Sequence, residues 1–419
     1  MLHFLPDRYP KADLLQKHPG VAKSLTDRGS VMMENSRETV AWVGIARTVG
    51  SNATVFLPHG APTDEVERKS FAVNLMKAIV RFSKENSRLG DSREMEGATQ
   101  AALLSELALD YRDNGLFATR EKIRTRDDGK PDWARTLKNG TAFSASNGTT
   151  VYCEISTTRY STFATSLIAR VQAHIIQEIA EAHGWWLGQY FGAREIPRGS
   201  SVVEWPRQSW SNLLRSVRHN LFQTRAIRLV QMLIDYLEAT AETGVGNVIC
   251  GVSDFSTMWE TMLRQTLDGV ENGWNERLPG PRYIRPDGRY EDAGRMRLDV
   301  IVRKKGRTSI LDAKYYRATT SGMAPNLADI MKQIVYQKAF ETCMADQDEI
   351  IESAFVFPAN ETHAGQFDRI EFVSRAGVTS EGFPPIYCHY VSTSEIVMAY
   401  SARMKLKDQE WVTSLKAPA

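Results

Sequence analysis

The sequence predicts an α/β protein whose C-terminal part, from about residue 246 to 419, is a mixed sheet flanked by helices, with an α+β module ahead of it. Three observations carry this. The stretch LDVIVRKKGRTSILDAKYY, Leu298 to Tyr316, reads as two apolar strands joined by a tight basic turn. Runs with apolar residues at helical spacing precede it, in DFSTMWETMLRQTL (254–267), and follow it, in NLADIMKQIVYQKAFE (326–341). Strand-like runs then recur near 351–357, 369–373 and 385–391 before a closing helix near 394–404.

Taken in order, residues 1–35 are polar and expected to be irregular, with weak helical potential over 11–25. Thr39 to Gly60 holds two strand-like runs around Gly50-Ser51-Asn52, a hairpin signal. Helices are predicted over 63–87 and 96–114. The segment 129–155 is rich in Gly, Asn and Thr, ends in a strand, and offers Trp133 as a core anchor. Long helices follow over 161–183 and 208–242, with Trp185, Trp186 and Trp210 as core residues. TGVGNVICGV (243–252) interrupts the helical pattern. The expected division is therefore 1–35, 36–245 and 246–419.

At 419 residues the chain is long enough for more than one domain. Its formal net charge of +2 means that contact with a polyanion must come from local patches. The cysteines, Cys153, Cys250, Cys343 and Cys388, lack metal-ligand spacing and read as reduced thiols. No signal peptide or membrane-length apolar run is seen, so a cytoplasmic protein is expected.

The first strand of the 298–316 pair carries Asp299, and the second carries Asp312 and Lys314. Residues two apart share a strand face, so Asp312 and Lys314 point the same way. With Lys305 and Gly306 as turn residues, antiparallel pairing sets Asp299 opposite Asp312. Like charges so opposed are destabilising, and a divalent cation is the natural reason for them. The alternative is a buried ion pair, a poor stability device that would leave one acid uncompensated. Arg303, Lys304, Lys305 and Arg307 project from the turn and could reach a phosphate, as could Arg215, Arg218, His219, Arg225 and Arg228 on the 208–242 helix. Charge runs of this kind are more often solvated faces, which is the other reading of both sets.

This arrangement resembles the active site of the PD-(D/E)XK nuclease superfamily, an acid on one strand and D/E-X-K on the next, here Asp299 and Asp312-Ala313-Lys314. The resemblance implies a restriction-endonuclease-like fold for 246–419 and Mg²⁺ as cofactor, with Mn²⁺ as a substitute, held by Asp299 and Asp312. Such a metal lowers the pKa of an attacking water, and Lys314 assists. It also implies Glu260, on the preceding helix, as a further metal-site acid, although a solvated i,i+4 pair with Arg264 is the other reading. Gln333 and Tyr336 on the 326–341 helix resemble the McrC branch. There Gln333 supports the site and Tyr336 lies close to the DNA, unless Gln333 only edges a packed helix.

VGIA, VFLPHG and GKPDWARTLKNG are similar to the LlaJI-type restriction endonucleases, relatives of McrC. That resemblance implies a DNA endonuclease subunit of a restriction or anti-phage system, with DNA and a separate McrB-like AAA+ GTPase as partners; an oligomer is left open. The chain has no GxxxxGK[ST] phosphate loop, so nucleotide hydrolysis would fall to the partner. The alternatives are a DNA-binding or GTPase-activating subunit that keeps the nuclease fold, or a transposon or repair nuclease.

Overall fold

The computed structural model describes residues 2–34, 36–48, 52–87, 95–96, 98–126, 128–163, 167–197, 206–244, 247–304, 306–344, 349–360, 366–380 and 382–406. They divide into two compact units, Met1–Ala102 with Asn247–Ala419, and Leu103–Gly246. The seam falls inside the expected 243–252 boundary. Residues 36–102, however, do not belong with the helices that follow them, which corrects the expected 36–245 module. Strand pairing is the reason. Val248–Val252 pairs antiparallel with Val43–Arg47, Cys250 opposite Ile45 and Gly251 opposite Gly44. The first strand after the seam thus completes the N-terminal sheet. Its order is Leu2–Pro6, Ala53–Leu57, Val43–Arg47, Val248–Val252, Met95–Glu96, with only the first pairing parallel. The backbones meet so closely that a Cβ on Gly44 (φ +144°) would lie 2.3 Å from the Cys250 carbonyl oxygen. Only glycine fits there.

Residues 2–34, expected to be irregular apart from weak helical potential over 11–25, form the helices Lys11–Lys17 and Pro19–Asp27 where that potential lies, and also the strand Leu2–Pro6 and then Val31–Glu34, paired with Arg37–Val40. The two helices share a short apolar face. Leu14, Val21, Ala22 and Leu25 pack with Val40, Trp42 and Phe56, so tertiary burial organises a segment whose local pattern is weak. The predicted hairpin forms, although its turn residues Gly50 and Ser51 lie outside the described residues. Helix Glu65–Ser87 follows.

The C-terminal mixed sheet runs Val300–Lys304, Arg307–Ala313, Ile350–Ala359, Ile386–Ser392, Arg369–Ile370. Its pairings are antiparallel, parallel, parallel and antiparallel in that order. Helix Leu327–Cys343 supplies the crossover that the first parallel pair needs. The first strand of the Asp-bearing pair, expected to be central, is an edge strand. The centre belongs to Ile350–Ala359, where Phe355 and Phe357 are fully buried. The edge is covered by chain from the preceding loop: Glu271 donates its N–H to Ile301 O (2.9 Å), and Arg303 donates to Gly269 O (2.8 Å).

Helix Phe255–Thr266 starts at Asp254, whose side chain accepts from Ser256 N. It buries the predicted face, Phe255, Met258, Trp259, Met262 and Leu263, with Leu267 just beyond. Trp259 Nε1 points to Val356 O at 3.5 Å, fixing the helix against the central strand. Helix Thr393–Ala402 closes this unit.

In the second unit, Ser156–Phe163 pairs with Thr119–Arg126. The helix expected from 161 therefore begins at Leu167. The helix expected over 208–242 is two, Trp210–Arg218 and Thr224–Thr243. They fold back on one another, with Arg218 NH1 donating to Gln231 Oε1 (2.6 Å) and Arg215 paired with Glu238. Trp186 and Trp210 are buried, but Trp133 is 54% exposed and anchors no core. The cysteines are free. Among the described residues no helix is long and apolar enough to cross a membrane.

Candidate active site

The Val300–Lys304 and Arg307–Ala313 strands pair with Val300 opposite Leu311 and Lys304 opposite Arg307. Extended by one residue, this register sets Asp299 opposite Asp312, as the sequence implies. Asp299 sits just ahead of its strand and is fixed from several sides. Its Oδ2 accepts from Ala313 N (2.8 Å), and its carbonyl accepts from Arg264 Nε and NH2 (3.1 and 2.9 Å). Asn275 clamps the neighbouring backbone, accepting from Leu298 N (2.8 Å) and donating to Leu298 O (3.2 Å). A cavity of about 260 Å³ opens beside Asp299, lined also by Arg264, Asn275 and Arg297.

Asp312 is buried. Lys314 Nζ lies 2.9 Å from its Oδ2, and Lys332 Nζ lies 3.4 Å from its Oδ1. Lys314 also donates to Asp329 Oδ1 at 2.7 Å. The approach of Lys314 to Asp312 Oδ2 is an ion contact rather than an aligned hydrogen bond, so this buried oxygen keeps acceptor capacity.

Electrostatics express the crowding. Burial, then Asp312, then Glu260, push the Asp299 carboxyl up to about 6. Burial works against the Lys314 ammonium, but Asp312 and Asp329 outweigh it and its pKa is raised. The same balance, with Asp312 the leading attraction, raises Lys332. The acids Glu260, Asp299, Asp312 and Asp329 thus crowd around Arg264, Lys314 and Lys332, with Arg297 lining the adjoining cavity.

A divalent cation suits this donor set: two facing carboxylates that repel one another, and an unused acceptor on Asp312. Mg²⁺ commonly binds through one or two carboxylates and keeps waters of its own. Among the described residues no group of three or more His, Cys, Asp or Glu side chains forms a ready-made cage. Glu260 acts on Asp299 electrostatically, yet its carboxylate is held by Arg264. The structure thus contains both the i,i+4 pair and the proximity that the sequence left open.

Gln333 is fully buried. Its amide donates to Ile310 O at 2.8 Å, bracing the Asp312 strand from the crossover helix, while its Oε1 has no hydrogen-bond partner. Tyr336 is half-buried, accepts from Arg297 N at 3.4 Å, and has Lys332 Nζ 5.1 Å from its ring centre.

The basic turn is largely matched by acids. Lys304 pairs with Asp268 (2.9 Å), Arg303 with Glu349 (2.6 Å) and Arg307 with Glu352 (3.5 Å). Lys305 lies outside the described residues. In the second unit Arg225 and Arg228 pair with Asp110 and Glu106, and Arg215 with Glu238.

Two residues at the site were not singled out from sequence for a role, Asp329 and Lys332. Asp329 and Gln333 are i,i+4 on one helix, a spacing that places both on the sheet side. Also unread was the hairpin Arg282–Ile284 with Tyr290–Asp292. Its turn Arg285-Pro286-Asp287-Gly288-Arg289 is a legible x-Pro-Asp-Gly-x signal.

The model of a family described as LlaJI restriction endonuclease matches residues 49–379. No curated protein matches the chain. Among solved structures, similarity is found to a chain of a complex described as a half-complex from a tetradecameric assembly of Thermococcus gammatolerans McrB AAA+ hexamers with bound McrC. It covers 96% of this chain and 99% of that chain, at 12% identity and a TM-score of 0.39.

Proposed function

Since this chain belongs to the LlaJI restriction endonuclease family, we propose that it hydrolyses DNA phosphodiester bonds with Mg²⁺ or Mn²⁺ at the Asp299/Asp312/Lys314 site. The observation that carries this reading is the facing pair Asp299 and Asp312, whose mutual repulsion, added to burial, pushes the Asp299 carboxyl up to about 6. Asp299 and Asp312 would hold the cation, and Glu260 would join them on leaving Arg264. When bound, the cation supplies charge neutralisation at the phosphate and acidifies water. Lys314, with its raised pKa, stays an ammonium at working pH. It therefore serves as a charged donor to phosphate oxygen or to the attacking water rather than as a base. Gln333 positions the Asp312 strand through Ile310, and Tyr336 stands at the site's margin.

The resemblance of VGIA, VFLPHG and GKPDWARTLKNG supports a separate McrB-like AAA+ GTPase as partner. Arg124, Arg126 and Arg135 line a cavity of about 690 Å³ in the second unit, beside the GKPDWARTLKNG segment. Glu154 in the same lining pairs with Arg126 (2.9 Å), which leaves Arg124 and Arg135 as the basic groups the cavity offers that partner.

The test is cleavage of plasmid and phage DNA by the purified protein with Mg²⁺, Mn²⁺ or EDTA, with and without a candidate GTPase. Asp312→Ala and Lys314→Ala are run alongside. Cleavage that needs the cation and falls by about 10³-fold or more in both variants is expected. Full cleavage by Asp312→Ala would sink the assignment.

A further inference from the structure

We propose that the Arg282–Asp292 hairpin is an arm that grips the phosphate backbone of the duplex to be cut; this rests on the nuclease reading above. The strands Arg282–Ile284 and Tyr290–Asp292 pair only with each other, and every residue from 279 to 292 is exposed. A lone two-stranded hairpin is marginal in water. This one also displays Tyr283 (72% exposed), Ile284 (74%) and Tyr290 (58%) with no core beneath them. Such a projection makes sense when a partner covers it.

Charge identifies the partner. Arg285 donates its N–H to Arg289 O, and Gly288 closes the turn at φ +79°. By the ladder register Arg285 and Arg289 then stand opposite each other at the tip, on the face of Tyr283 and Glu291. Opposed like charges cost stability. The segment from Arg282 to Arg297 carries five arginines against three acids, Asp287, Glu291 and Asp292, so an anion supplies the counter-charge that its own side chains do not. Local acids answer only weakly. Asp287 contacts Arg289 (2.6 Å) and Glu291 contacts Arg285, pairs in full solvent that phosphates can replace. At the root, Arg295 and Arg297 add two more guanidinium groups, and Arg297 lines the cavity beside Asp299.

Geometry favours a duplex over an acidic protein. A two-stranded ribbon fits the major groove, about 12 Å wide. The chain from Asp292 to Asp299 spans at most about 25 Å, less than one duplex turn of about 34–36 Å. Arm and cutting site can therefore address the same duplex.

The full-length chain would be compared with Arg285→Gln/Arg289→Gln and Arg295→Gln/Arg297→Gln, binding a labelled linear duplex in EDTA across a salt series. Each pair should weaken binding about tenfold and lower the slope of log affinity against log salt by about 2, one for each phosphate that a guanidinium no longer neutralises. Lysine at the same positions should restore the slope. A parent that binds and cuts, beside variants with unchanged affinity and slope, overturns the arm alone. So does a tip variant that loses a protein partner but not DNA. A parent that neither binds nor cuts DNA overturns the nuclease reading and the arm with it.

Discussion

Two hairpins lie within a few residues of each other, and each opposes like charges across its ladder, but their surroundings differ. Asp299 and Asp312 face one another at a largely buried site, where water cannot dilute the repulsion. The protein answers with Lys314, Lys332 and Arg264, and still one acid is pushed to a pKa of about 6. Arg285 and Arg289 face one another in solvent, where screening keeps the same kind of conflict small. A buried conflict is stored in the fold and appears as pKa shifts and stability. An exposed one costs the fold little and shows itself only when a polyanion arrives.

The largest expected effect comes from removing the shared cation of the buried hairpin. Lys314→Met strips Asp312 and Asp329 of their common ammonium and should cost about 3–5 kcal/mol in urea unfolding. A comparable loss from Arg285→Gln would erase the contrast between the hairpins.

The next effect is pH-dependent and belongs to the cation-free protein. Asp299 has a folded pKa of about 6 against 3.8 for the ordinary side chain. Between these values the folded state binds the extra proton, so this group's contribution to stability falls as pH rises from about 4 to about 6 and stays low above. Asp299→Asn, which keeps an oxygen for Ala313 N, should flatten that limb and stabilise the cation-free protein by up to about 2–3 kcal/mol at pH 7. Thermal melts across pH measure it, and Mg²⁺ should raise the melting temperature of the parent but not of the variant.

Gln333→Leu gives a smaller effect. It removes the bond to Ile310 O but also an amide oxygen with no hydrogen-bond partner, so the stability change should stay within about 1 kcal/mol. Cleavage falling tenfold or more at intact stability would mark a positioning role in the site; cleavage and stability falling together would mark packing alone. Smallest of all, the Arg285→Gln/Arg289→Gln protein should unfold within about 0.5 kcal/mol of the parent, its defect appearing only in DNA binding.

Legibility followed the same division. The Asp299/Asp312 register could be read because a tight turn leaves a hairpin one pairing, and because alternation fixes which residues share a face. The buried faces of the Phe255–Thr266 helix could be read from apolar spacing. Arg282–Asp292 could not, since its pattern is set by no core; only the Pro-Asp-Gly turn announced it. Nor could the break at 219–223, where two amphipathic pieces gain more by packing on each other than by continuing one helix.

The sequence by itself determined which side chains meet across the short turn, which helix faces are apolar, and the identity of the acids and the lysine. These depend on spacing along a few residues. Tertiary structure alone decided that residues 1–102 build with 247–419, that Val300–Lys304 is an edge strand, and that Asp329 and Lys332 reach the ion cluster. Those outcomes depend on contacts between residues distant in the chain, such as Gly44 against Gly251. Strand order and helix placement there follow from the competition to bury surface, which no local pattern records.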